Sequence, residues 1–286
     1  MKELRKSLLT FVIYLFVPFV ILYTIKYGFN IVTKDNLQFA SVINIILDVI
    51  LFVTIVFLNK DIFKNRKRLD TKEDKISLII KLIILMYAIK IVSGMVVGIL
   101  SFILGVGVDT SNNQYLLEEM FKYYPVLMII TGVICAPVTE ELVFRGAIKR
   151  IIKNKKVFII VSGLIFGLIH VLRYDLPVFI MLIGGYLIDM IVESKLDRSK
   201  NIKLSIVTTL GMLLLILFLI HILSGSIVTY ILTIKLSEVL NSIVYIAVGC
   251  YFAYIYQKYD NIYVNIGAHM ANNLLSYIIL FTSMKF

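Results

Sequence analysis

The sequence predicts an all-α, polytopic transmembrane helix bundle of about eight to nine spans with a cytoplasmic N-terminus. Three observations predict it. Of the 286 residues, 60% are hydrophobic and the mean hydropathy is +0.94, against about 45–50% apolar usage in soluble domains. Apolar runs near the roughly 20 residues that a helix needs to cross about 30 Å of hydrocarbon fill almost the whole chain. The net charge of +11, from 29 Lys and Arg against 18 Asp and Glu, punctuates those runs and falls in alternate loops, as cytoplasmic loops require. A soluble enzyme and a disordered chain are excluded. So is a nucleic-acid-binding module, whose basic residues would gather on one face.

The first run, residues 8–25, follows Lys2, Arg5 and Lys6. It is too long for a secretory h-region and has no small-residue cleavage site after it, so it reads as a retained anchor helix. The second is 38–58. The third, 77–106, is long enough to tilt, to kink at Gly94 or Gly98, or to leave the membrane. Then come 125–148, a short 157–173, 176–193, 204–223, 239–257 and 262–282. With the N-terminus inside, the cytoplasmic loops hold Lys60, Lys64, Arg66, Lys67 and Arg68, then Lys149, Arg150, Lys153, Lys155 and Lys156, then Lys195, Arg198, Lys200 and Lys203. Residues 108–121 form an opposite loop, acidic through Asp109, Glu118 and Glu119. The two cysteines, Cys135 and Cys250, lie in apolar segments and supply neither a disulfide framework nor a Cys-type zinc site. No internal repeat points to an inverted-repeat transporter.

Ionisable residues inside apolar spans are costly, and they mark function by default. Lys81 can snorkel from near a helix end, Asp189 lies one turn from the cytoplasmic end of its span, and His221 is terminal in its run. Asp48 and Lys90 are deeper and read as an interhelical ion pair or a polar contact in the bundle. A transporter reading would use Asp48, Lys90 and Asp189 as coupling sites. The rest forms a pattern. The fourth run reads Ala136-Pro137-Val138-Thr139-Glu140-Glu141-Leu142-Val143-Phe144-Arg145-Gly146. Adjacent glutamates on a helix point about 100° apart and cannot share a role. Glu141 and Arg145 stand at i,i+4 with the acid first, the favourable order for an ion pair. Glu140 faces elsewhere, without a local partner, as a general base would. Phe166-x-x-x-His170 and His269-x-x-x-Asn273 each put two residues on one helical face.

These three motifs, in this order on membrane helices, resemble those of the CPBP intramembrane proteases. That family includes the type II CAAX prenyl endopeptidases and bacteriocin-processing and bacteriocin-immunity proteins. Ala136-Pro137 and Phe144-Arg145-Gly146 match as flanks, and the resemblance covers about residues 125–282. It implies a catalytic membrane domain over 125–286, preceded by N-terminal transmembrane helices of unassigned role over 1–124. It implies an intramembrane endopeptidase, multi-pass in the cell membrane, acting on a peptide or protein substrate in the lipid bilayer and not on nucleic acid. Glu140 would be the base that activates water. His170, His269 and Asn273 would polarise the carbonyl or stabilise the oxyanion, with Glu141 and Arg145 in support. One Glu and two His could also hold a divalent metal such as zinc, with His170 and His269 as the ligands. There is no His-Glu-x-x-His helix and Asn is not a usual zinc ligand, so metal-assisted and metal-free mechanisms both stay open. A non-catalytic membrane scaffold or immunity protein on the same fold is the alternative reading.

Two features depart from the family pattern. Nearly a hundred residues separate His170 from His269, which marks 196–238 as an insertion. By helical rise, Glu140 and His269 fall about 10–15 Å from the cytoplasmic face, whereas His170 falls near the far end of its short run. That mismatch requires the helix to start later than 157 or to dip into the bilayer.

Overall fold

A computed structural model describes residues 2–23, 37–64, 75–107, 111–170 and 236–283. They belong to one compact unit, formed by the chain up to residue 171 and from residue 236 onwards. The expected spans 176–193 and 204–223, most of the 196–238 insertion, Asp189 and His221 lie outside the described residues. Among the described residues there is no strand, so the all-α class holds.

The helices are α1 (Lys2–Tyr23), α2 (Leu37–Leu58), α3 (Lys60–Lys64), α4 (Lys75–Leu104), α5 (Asn112–Tyr123), α6 (Pro125–Ile151), α7 (Lys155–Ile169), α8 (Leu236–Tyr259) and α9 (Ile262–Ser283). Four of them, α2, α4, α6 and α8, are long and apolar enough to cross a membrane. Within the runs expected at 8–25, 157–173 and 262–282 the structure describes helices α1, ending at Tyr23, α7, ending at Ile169, and α9. Large apolar side chains such as Ile84, Met95, Phe102 and Val126 point outward, the arrangement lipid requires.

Two local expectations change. Residues 108–121 were expected as an acidic loop, but Asn112–Tyr123 is helical. Ser111 caps it by accepting from the Gln114 N–H at 3.3 Å, and it buries Met120 and Phe121 against Ile45, Met128, Val133 and Tyr277. The second change concerns α7. It starts at Lys155, where Asn154 accepts from the N–H groups of Lys156 and Val157, and its 15 residues end at Ile169. At 1.5 Å per residue it is about 22 Å long, shorter than the roughly 30 Å hydrocarbon layer. Its end therefore stops within the bundle. The helix starts at Lys155, before the expected 157, so His170 lies about 22 Å along it. Its approach to the same Glu140 oxygen as His269 nevertheless places it level with the other site residues.

α7 and α8 pack with their backbones almost touching. A Cβ on Gly163 would stand 2.7 Å from the Cys250 backbone nitrogen, one on Gly167 2.6 Å from that of Ile246, and one on Gly249 2.9 Å from the Gly163 carbonyl oxygen. Small residues four apart let membrane helices approach this closely. On its other side α8 packs Val248, Tyr251, Phe252 and Ile255 against Leu78, Leu82 and Met86 of α4 and Val264 and Ala268 of α9. The Tyr251 hydroxyl donates to the Leu82 carbonyl at 2.8 Å.

α6 is the central rod, and it is not a uniform α-helix. Thr131–Cys135 and Glu141–Ala147 are wound as π-helix, a form that recurs at functional sites. The first stretch has a chemical consequence. In π winding the Ala136 N–H reaches the Thr131 carbonyl, so the next carbonyl, that of Gly132, would need the N–H of residue 137. Residue 137 is proline, which has none. That carbonyl is left for a side chain from elsewhere. In the second stretch the Phe144 carbonyl accepts from the Ser162 hydroxyl of α7 at 2.8 Å.

At the basic end of α6, Arg150 donates to Asn59 at 2.7 Å and pairs with Asp61 and Glu3, while Lys6 pairs with Asp61 as well. Burial by itself would raise the Asp61 carboxyl. The hydrogen bond from Lys6 and the charges of Arg150 and Lys6 outweigh it and hold the group below the usual carboxylate range.

Two predictions follow from this packing. Gly163→Val forces atoms into the α7–α8 backbone contact and should destabilise the chain by about 1–3 kcal/mol; thermal unfolding in detergent reads it, and an unchanged midpoint would contradict the close approach. The Asp61 contribution is present above the unfolded carboxylate value of about 3.9 and is lost as pH falls through the lower folded value. Asp61→Asn should therefore lower stability near neutral pH, by no more than about 1 kcal/mol for so exposed a group. It should also flatten the acid limb of the stability–pH curve.

Candidate active site

The site begins with a carboxylate that solvent does not reach. Glu141, at the start of the second π stretch, is fully buried. Its Oε1 lies 2.9 Å from His269 Nδ1 on α9 and 3.3 Å from Arg145 Nη1, one turn along α6. Its Oε2 accepts from Asn265 Nδ2 at 3.1 Å. The i,i+4 ion pair expected from the sequence forms. Arg145 is fully buried too, and it donates from Nη2 to the Gly249 carbonyl at 3.0 Å. Its guanidinium lies 4.6 Å from the centre of the Phe166 ring and 5.3 Å from that of Phe252. A buried charge pair survives only with such compensation, and here it comes from a carbonyl and two aromatic faces.

Both histidines are anchored through Nδ1. His269 Nδ1 faces Glu141, and its ring stacks on Phe252 with centroids 4.7 Å apart. His170, directly after α7, has Nδ1 2.6 Å from the Phe166 carbonyl. A carbonyl only accepts, so that nitrogen carries the proton. The His170 ring stacks on Tyr245 of α8 at 5.1 Å and 15°, and the Tyr245 hydroxyl is 3.1 Å from that of Ser111. With Nδ1 committed in both rings, both Nε2 atoms turn the same way. They stand 3.8 Å (His269) and 4.0 Å (His170) from one oxygen, Oε2 of Glu140. Glu140 itself is only partly buried. The two adjacent glutamates thus meet opposite edges of the His269 ring and otherwise have different partners, in keeping with their angular separation.

Asn273 lies one turn beyond His269 on the same face of α9. Its Nδ2 donates at 2.8 Å to the Gly132 carbonyl, the one that Pro137 leaves without a backbone donor. Its Oδ1 accepts from Asn272 at 2.9 Å. Of the deeper ionisable residues, Lys90 makes a polar contact, donating to Asn272 Oδ1 at 2.6 Å.

The six residues singled out in the sequence therefore fall into three groups. Glu140, His170 and His269 converge, Glu141 and Arg145 stand behind them, and Asn273 is held one turn away. Sequence reasoning missed Asn265, which also donates to the Phe252 carbonyl at 2.7 Å, and Tyr245. Asn265 did leave a signal: it precedes His269 by four residues, so Asn265, His269 and Asn273 form one polar stripe on an apolar helix.

The donor types suit zinc, and the separations around Glu140 are wider than those of a closed ligand set. Ligands at 2.0–2.2 Å in a tetrahedron stand about 3.4 Å apart, less than the 3.8 and 4.0 Å found around Glu140. Among the described residues no three His, Cys, Asp or Glu are gathered so as to hold an ion.

The family described as type II CAAX prenyl endopeptidase Rce1-like matches residues 122–275, more than half of the chain and the whole of the site. The chain belongs to that family, a family of intramembrane endopeptidases, and it is an integral membrane protein. A protein of Mycoplasma capricolum subsp. capricolum, described as uncharacterized, is 40% identical over 76 residues. The match takes in 26% of this chain and 23% of that relative, so the chain spans less than a quarter of the relative's length. No solved structure matches.

Asn265→Ala removes one of three groups on a buried carboxylate and should cost about 1–3 kcal/mol of stability. Asn265→Asp would set a second acid against Glu141 and should cost more. Equal melting temperatures for the two variants in detergent would contradict the bond to Glu141.

Proposed function

We propose that the chain hydrolyses a peptide bond in a membrane-associated peptide or protein, with Glu140 as the general base. The observation that carries this reading is the convergence of two anchored imidazole Nε2 atoms on one oxygen of a partly exposed glutamate. Separations of 3.8 and 4.0 Å are too long for direct hydrogen bonds and suit one bridging water.

Glu140 takes a proton from that water as its oxygen adds to the peptide carbonyl carbon. The carbonyl oxygen becomes an oxyanion, and the proton passes to the departing amine nitrogen as the C–N bond breaks. With Nδ1 tied to an acceptor, a neutral ring offers Nε2 to a hydrogen of the water, and a protonated ring offers Nε2–H to the oxyanion. Asn273 has a second amide N–H beyond the one given to Gly132, and this donor also serves the oxyanion. Glu141 holds His269 in its tautomer and orientation, the part that a third group plays behind a catalytic base. No step requires an ion.

Glu140→Gln should lower cleavage by about 10²–10⁴-fold at unchanged membrane abundance. Comparative peptidomics of membranes carrying the wild-type chain or the variant identifies the products. Products that persist with Glu140→Gln would sink the mechanism, and a cellular role kept in full by the variant would favour a non-catalytic scaffold.

A further inference from the structure

We propose that Lys90 is a positioning residue that aims the amide of Asn273, acting through Asn272; the inference rests on the oxyanion role given to Asn273 above. Lys90 lies within α4, among the apolar residues of a membrane-spanning helix, where a charge is costly. Its Nζ lies 4.9 Å from the centre of the Tyr87 ring, a cation–π contact that fixes the ammonium. From there three bonds run in one direction. Lys90 Nζ donates to Asn272 Oδ1 at 2.6 Å, Asn272 Nδ2 donates to Asn273 Oδ1 at 2.9 Å, and Asn273 Nδ2 donates to the Gly132 carbonyl at 2.8 Å.

The direction is forced at both ends. An ammonium has no lone pair, so Asn272 must turn its oxygen to Lys90 and its NH2 group to Asn273. Asn273 must then present its oxygen to Asn272, which sends its own NH2 group towards α6. The Gly132 carbonyl, which can only accept, agrees with that choice. Flipping either amide would set two like groups against each other at two places. An asparagine amide has nearly the same shape either way round, so packing alone does not decide which end faces a substrate. The carbonyl at one end and the cation at the other decide it together, the cation by holding Asn272 in the orientation that supports Asn273. A charge at the head of a hydrogen-bonded chain also polarises the amides behind it and strengthens the last donor.

A simple tie between α4 and α9 would need only the contact between Lys90 and residue 272. Asn272→Asp separates the two roles: it keeps and strengthens that contact but turns an acceptor towards Asn273 Oδ1, where a donor is required. The full chain in detergent is assayed on the peptide whose cleavage in membranes depends on Glu140. Asn272→Asp should keep the wild-type melting temperature and lose kcat with little change in KM, up to about 100-fold for a misplaced group. Lys90→Met should lose kcat to a similar extent, and Lys90→Arg should restore most of it. Combined with Asn273→Ala, Lys90→Met should add no further loss beyond about twofold. Wild-type kcat in Asn272→Asp, or losses that multiply in the double variant, would overturn the proposal while Glu140 stays essential. Cleavage that does not depend on Glu140 would overturn the proposed function first, and this inference with it.

Discussion

The Glu141 carboxylate is the constraint from which the rest of the site follows. It sits where no solvent reaches, so every lone pair needs a donor from the protein. Its partners come from two helices: hydrogen bonds from His269 and Asn265 of α9, and the charge of Arg145 from its own helix. Satisfying one buried acid therefore sets the rotation of α9 against α6 and orients the imidazole of His269. Arg145 passes the demand on to the Gly249 carbonyl and to the faces of Phe166 and Phe252, which brings in α7 and α8. Glu140, one residue away, is relieved of any such duty.

Close packing does for His170 what the buried charge does for His269. Gly163 and Gly167 remove the side chains that would keep α7 from α8, and the approach puts Tyr245 flat against His170. The two histidines are held by different acceptors, His269 by a carboxylate and His170 by a carbonyl. Each has two aromatic rings beside it, Phe166 and Phe252 for His269, Phe166 and Tyr245 for His170. Both leave Nε2 for the same oxygen.

Much of this was legible because lipid makes certain residues conspicuous. Glu140, Glu141, Arg145, His170 and His269 stand out in an apolar chain, and helical spacing paired Glu141 with Arg145 correctly. Neutral amides carry a weaker signal: Asn265 and Asn272 cost less in an apolar helix than a charge, and their importance depends on partners far away in sequence. Gly163 and Gly167 are equally silent until the surface they meet is known. α5 is silent in the sequence because it is amphipathic and offers no continuous apolar run. The depth of His170 is hidden because the rise along one run does not show at what level its helix begins relative to its neighbours.

α6 is fastened at two places, by the Glu141 cluster in the bundle and by Arg150 with Asn59, Asp61 and Glu3 nine residues further along. Between them lies the π stretch Glu141–Ala147, whose i→i+5 winding takes up one residue more than an α-turn would. The register of the rod is thus part of the site. A further insertion or deletion that this stretch cannot absorb would turn one fastening about 100° from the other. Every side chain of the site would still be present. Insertions and deletions, not only substitutions, are therefore a route by which such a chain can keep its motifs and lose its geometry.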